Sequence, residues 1–267
     1  MGAIWTPFKE TAVRAAYSES VGGASFDQSF QLEPSQVAGF NQAFRSLIPE
    51  SVSGANAGAT FTSYGLSLEQ KFPTRTYVAV VGEILESTVQ RQDGAFVVPP
   101  TLDTFPSTLS ERLDFWEQSI SLSLHQLVGR DWALGSGYRL SHAELKDNFP
   151  SVSDAAGAST GFSPRRTLSG TLQTLDVHAI YQHPSGIFAQ VKGSWTRQVN
   201  GASQAALAGD DFWQWDVLAG YRFPRRRAEI TVGVLNLTDR DYRLSPLNLR
   251  QDTSRGRTFY AQFNFHF

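Results

Sequence analysis

Residues 213–223 read WQWDVLAGYRF. In an extended strand side chains alternate between two faces. Trp213, Trp215, Val217, Ala219, Tyr221 and Phe223 then share one face. Gln214, Asp216, Gly220 and Arg222 share the other, with Leu218 the exception. The apolar face has aromatics at both ends and small aliphatics between them. Trp and Tyr favour the two headgroup interfaces of a bilayer and aliphatic side chains favour its hydrocarbon, so this order suits a strand with lipid on one side. A strand of a soluble sandwich also alternates, but it has no reason to carry aromatics at both ends.

The pattern recurs. In 64–72 the apolar set is Tyr64, Leu66, Leu68 and Phe72; in 132–141 it is Trp132, Leu134, Tyr138 and Leu140. In 175–182 it is Leu175, Val177, Ala179 and Tyr181; in 189–196 it is Ala189, Val191 and Trp195. The intervening positions include Glu69, Asp176, Asp216, Lys71, Arg139, Lys192 and Arg222, and Glu83 alternates in the same way in its own segment. Charges like these cannot line a dry core without partners. They suit a solvated lumen wall whose charges compensate one another. Helical periodicity is nearly absent, and no run of about 18 apolar residues exists, which excludes a transmembrane helix. Charged residues make up 18% of the chain, low against the about 25% usual for soluble proteins. A net charge of −2 gives no reason to expect nucleic acid, and the lack of cysteine excludes disulfides and thiolate chemistry.

The connections have unequal lengths. Turn-forming stretches fall at 8–11, 73–76, 129–132, 183–186 and 224–227. Long polar stretches fall between them, at 21–60, 88–109, 147–170, 198–211 and 240–256. Outer-membrane barrels have short periplasmic turns and longer loops on the opposite side. The expectation is an all-β fold, an antiparallel transmembrane β-barrel portion with about 11 strands, forming one domain over 1–267. Bacterial single-chain barrels have an even strand number. Here the first strand, about 2–7, and the last both run inward. MGAIWTPFKE has no basic segment followed by an apolar one, so it is no secretory signal. Both points predict that this is the C-terminal portion of a longer chain.

VGVLNLTDRDYRLSPLNL (232–249) followed by RGRTFYAQFNFHF (255–267) resembles the C-terminal end of TonB-dependent receptors of the Gram-negative outer membrane. Asn236, Leu237, Thr238, Asp239 and Tyr242 match the family's penultimate segment, and Arg257, Thr258, Phe259 and Phe267 its last strand. The specific match covers about the last 40 residues. The resemblance implies a barrel of 22 strands around an N-terminal plug, of which this chain has none. It implies partners too: outer-membrane lipid, the barrel assembly machinery, an energy-coupling protein that acts through the plug, and a small-molecule ligand. The implied function is active uptake of a scarce ligand such as an iron chelate, cobalamin or an oligosaccharide. The alternative is a passive or export channel fused to a different periplasmic domain; a third reading is a soluble β-sandwich.

In the final strand Phe259, Ala261, Phe263, Phe265 and Phe267 alternate with Tyr260, Gln262, Asn264 and His266. In the family the assembly machinery reads an aromatic-rich last strand with a terminal Phe. The resemblance therefore implies that Tyr260, Phe263, Phe265 and Phe267 are the assembly signal, with Gln262 in place of the usual small Gly. Trp213, Trp215, Tyr221, Phe223, Phe263, Phe265 and Phe267 are expected to face outward, and Gln214, Asp216, Arg222, Gln262 and Asn264 inward.

No catalytic constellation, cofactor motif or metal motif is visible. The histidines, His125, His142, His178, His183 and His266, show no ligand spacing on a shared element. Arg225, Arg226 and Arg227 suit a solvated turn. The stretch 32–50, LEPSQVAGFNQAFRSLIPE, carries apolar residues without alternation and suits a loop packed on its neighbours more than a gate. The expected protein is not an enzyme, and its location is the outer membrane.

Overall fold

The computed structural model describes residues 1–21, 36–37, 40–41, 59–97, 105–154, 162–201, 209–224, 227–242 and 256–265. Every element among them is a strand: β1 (Gly2–Trp5), β2 (Thr11–Val21), β3 (Gln36–Val37), β4 (Phe40–Asn41), β5 (Thr60–Lys71), β6 (Thr76–Val97), β7 (Phe105–Val128), β8 (Trp132–Asn148), β9 (Arg165–Gln182), β10 (Ile187–Asn200), β11 (Asp211–Arg222), β12 (Ala228–Leu235) and β13 (Thr258–Phe265). Apart from the short β3–β4 ladder, they form one 11-stranded sheet in the order β1-β2-β5-β6-β7-β8-β9-β10-β11-β12-β13. Each neighbouring pair is antiparallel. The expected strand number and all-β class are both found.

A meander of this kind puts alternate connections at opposite ends. Residues 6–10, 72–75, 129–131, 183–186 and 223–227 close one end; residues 22–59, 98–104, 149–164, 201–210 and 236–257 connect the other. The tight turns carry the left-handed residues that such turns need, Glu10 (φ 66°), Arg75 (φ 60°), Gly129 (φ 63°) and Gly186 (φ 101°). At Gly186 a β-carbon would also collide with the Arg222 carbonyl, so this turn requires glycine twice over. The basic residues Arg225 and Arg226 and the stretch 32–50, apart from its two-residue strands, lie outside the described residues.

The strands are longer than the sequence suggests. Most of 88–109, expected as a loop, belongs to β6 and β7, which have 22 and 24 residues. The ends of 147–170 likewise belong to β8 and β9, leaving only 149–164 as connection. At about 3.3 Å per residue, the β6–β7 hairpin is roughly 70 Å long, far more than a ~25 Å apolar band requires.

The sheet is open. Among the described residues β1 pairs only with β2, and β13 only with β12. An odd number of antiparallel strands leaves these two edges running in the same direction.

Candidate functional site

The register divides the sheet into two faces. One, the belt face, carries Leu68, Val80, Leu122 and Tyr138 across β5–β8. It continues through Leu175, Trp195 and Trp213 on β9–β11, and through Val232 and Ala261 on β12–β13. Near the tight turns it holds Trp5, Trp132, Tyr181, Ile187, Tyr221 and Phe223, several of them in ring contact. Further along come Leu66, Ile120 and Leu124, then Tyr17, Tyr64, Trp116, Trp195, Trp213 and Trp215. Among the described residues, this face carries no Asp, Glu, Lys or Arg between the tight turns and Tyr17, Tyr64, Ile84, Trp116, His142, Trp195 and Trp213; the first charges on it, Glu19, Glu86, Asp114, Glu144, Arg197 and Asp211, come immediately beyond. Its polar members bond to one another: Tyr138 donates to Gln173 Oε1 at 3.1 Å, and Thr11 donates to Gln70 Oε1. Leu66 is 60% exposed, Ile120 51% and Val232 53%. On β8 the belt runs from Trp132 to Leu140, about 26 Å along the strand at ~3.3 Å per residue.

Beyond the belt the polarity of the two faces reverses. On β6 the belt-face series Val78, Val80, Gly82, Ile84 gives way to Glu86, Thr88 and Gln90. On β7 Trp116 gives way to Asp114 and Arg112, and on β8 Leu140 and His142 give way to Glu144 and Lys146. The opposite face changes the other way. There Glu83, Ser119, Ser141 and Thr174 give way to Val89, Leu113, Phe115, Ala143, Leu145 and Leu172, a buried cluster with Phe61, Leu85 and Leu168 packed against it. The switch occurs at about the same height on β5 to β9. The same strands therefore have an exposed apolar face at one end and a buried hydrophobic cluster on the opposite face at the other.

Level with the belt, the opposite face is a charged wall. Arg139 Nη2 lies 3.7 Å from both Glu83 and Glu117 and donates to Ser119 Oγ at 2.9 Å. Arg139 Nε donates to Ser141 Oγ at 3.1 Å. Glu69 pairs with Arg14, Lys71 with Glu10 at 3.4 Å, Lys192 with Asp176 at 3.3 Å, and Arg222 with Glu229 at 2.7 Å. Asp216 accepts the Asn236 backbone N–H at 2.8 Å. All eight charged residues singled out in the sequence stand on this wall, and each has a partner. Glu117, whose side chain is 1% exposed, was not singled out: its neighbours Gln118 and Ser119 give no local sign of burial.

The segment after β12 is a clasp. Asn236 is fully buried with φ 49°, and Asp239 has φ 53°. Asn tolerates this left-handed region better than most residues. The Asn236 amide donates to the Arg240 carbonyl at 3.0 Å and accepts the Arg240 N–H at 2.9 Å. The carboxylate of Asp239 accepts the Arg257 N–H at 2.8 Å, tying this segment to the start of β13. Tyr242 stacks on Phe212 with centroids 4.7 Å apart. The motif residues thus fix how the last strand is entered.

On β13, Phe263 and Phe265 share the belt face, opposite Ile230 and Ala228, and both are exposed. Tyr260 is on the wall face, its ring lying over Gly233. Phe267 and His266 lie outside the described residues. Trp213, Trp215, Tyr221 and Phe223 share one face and Gln214, Asp216 and Arg222 the other, as expected. His142 bonds Thr171 at 2.9 Å, and His183 bonds Ser185 in its turn at 2.8 Å. No family model matches this chain, and no curated protein matches it.

Proposed function

We propose that the sheet is part of the wall of an outer-membrane β-barrel, with the belt face against lipid and the charged wall lining a water-filled lumen. The observation that carries this reading is the reversal of polarity at one height across β5–β9. A sheet immersed in water throughout has no use for such a reversal. A sheet that passes from hydrocarbon into water needs it, because its outside must change from apolar to polar at the interface. We further propose that the chain is the C-terminal portion of a 22-stranded TonB-dependent receptor for active uptake of a scarce small molecule. The likeness of Asn236–Asp239, Tyr242 and Arg257–Phe259 to that family supports this. Tyr260, Phe263, Phe265 and Phe267 would then serve the assembly machinery, and an energy-coupling protein would act through a plug.

Flotation with lipid vesicles tests the membrane part. The refolded chain should float with the vesicles and resist extraction by alkaline carbonate; a chain that stays in the aqueous fraction refutes it. Uptake by cells making the full gene product tests the receptor part. Transport that stops when the energy-coupling protein is deleted supports a receptor, and unaffected transport indicates a passive channel.

A further inference from the structure

His125 on β7 and His178 on β9 are separated by β8, and Gly135 of β8 stands opposite both. With no side chain at 135, the two imidazoles lean together, their centroids 5.6 Å apart and their planes at 43°. The point where a β-carbon of residue 135 would stand lies 2.7 Å from His125 Nδ1, and His178 Nε2 is closer still. One ring nitrogen from each histidine therefore faces the same small space. Imidazole nitrogens bind transition metals at about 2.0–2.1 Å, so an ion above Gly135 reaches both after a small ring rotation. We propose that His125 and His178 form a cross-strand site for a borderline divalent transition-metal ion, of the class of Cu²⁺, Ni²⁺ and Zn²⁺. This goes beyond the membrane reading and does not depend on it.

The surroundings suit an exchangeable ion. His125 is exposed and lines a cavity of about 700 Å³ shared with Glu69, Lys71, Tyr77 and Ser123. Lys192 stands opposite His178, but its ammonium is 3.3 Å from the Asp176 carboxylate, which offsets its charge. Among the described residues no third His, Cys, Asp or Glu completes a ligand set. Water fills the remaining positions, and open positions of this kind mark exchange in preference to a structural role. Sequence spacing could not reveal the pair, because its members lie on strands that are not neighbours.

The test is a Cu²⁺ titration of the untagged full chain in detergent micelles at neutral pH, followed by electron paramagnetic resonance. One Cu²⁺ per chain with coupling to two nitrogens is expected, with Cu²⁺ held more tightly than Ni²⁺ or Zn²⁺. His125→Ala and His178→Ala should each weaken binding by about tenfold or more, as should Gly135→Ala, whose methyl group would fill the space. His183→Ala should leave binding unchanged. A Cu²⁺ spectrum of the unmodified chain without two-nitrogen coupling, or no binding of any of the three ions, overturns the proposal. So does coupling that survives in the double histidine variant. The unmodified chain alone can decide, so a variant that fails to fold does not obscure the outcome.

Discussion

Asn236 links the recognisable motif to a physical role. Its side chain bonds both backbone groups of Arg240, and its own backbone takes a conformation with φ 49°. Asn236→Ala removes both bonds at a buried site and strains the backbone, so we expect a loss of about 2–3 kcal/mol. Urea unfolding of the vesicle-bound protein reads this as a lowered midpoint. Asn236→Gly tolerates the backbone conformation and should recover about 1 kcal/mol of that loss; an unchanged midpoint for the Ala variant would refute the clasp. The motif was legible in the sequence as a resemblance, but its burial was not, because a run of Asn, Leu, Thr and Asp reads locally as an ordinary polar turn. A second residue-level expectation concerns side-chain direction. Trp213 and Gln214 stand on opposite faces, so lipids carrying bromine should quench Trp213 strongly. A tryptophan introduced by Gln214→Trp, in a background where the native tryptophans are replaced, should be quenched little. The reverse result would mean that the faces are exchanged.

Strands β5 to β9 each carry two alternating patterns in succession, and only the first was easy to read. Where β6 has Val78, Val80 and Ile84 on one face, the apolar phase is plain. From Leu85 onward the apolar residues move to the other face, with Leu85 and Val89 set against Glu86, Thr88 and Gln90. A strand expected to keep its apolar face outward then looks like a polar loop, which is why 88–97 was misread. The two zones should respond differently to substitution. Leu122→Lys, in the belt, should cost about 2–4 kcal/mol in vesicles, while Ser121→Lys on the charged wall should cost little. Leu113→Ala, in the upper core at 2% exposure, should cost about 3 kcal/mol. Unlike Leu122→Lys, it should cost the same whether the chain is in vesicles or in detergent. Equal costs for Leu122→Lys and Ser121→Lys would dissolve the distinction between the faces.

At the scale of the molecule, the number of strands and the unequal ends were legible because alternation and turn chemistry are local. What the edges meet was not, because it depends on pairing between distant segments. β1 and β13 run in the same direction, so they cannot close on each other as an antiparallel pair. Each exposes a row of backbone N–H and C=O groups, which cost several kcal/mol apiece in hydrocarbon. The isolated chain should therefore give no uniform single-channel steps in a planar bilayer. Stable steps of one size from the monomer would show that it closes unaided.

The length of the β6–β7 hairpin gives the molecule a reach. From the row of Glu86 and Trp116 to the far end of β6 the strand continues for roughly 35 Å, or about 25 Å of height once barrel-like tilt is allowed for. Gly94, near that far end, is exposed. Among the described residues, a large particle approaching from that end meets this arm before the belt. A label at Gly94 would report such an approach while leaving both the charged wall and the clasp undisturbed.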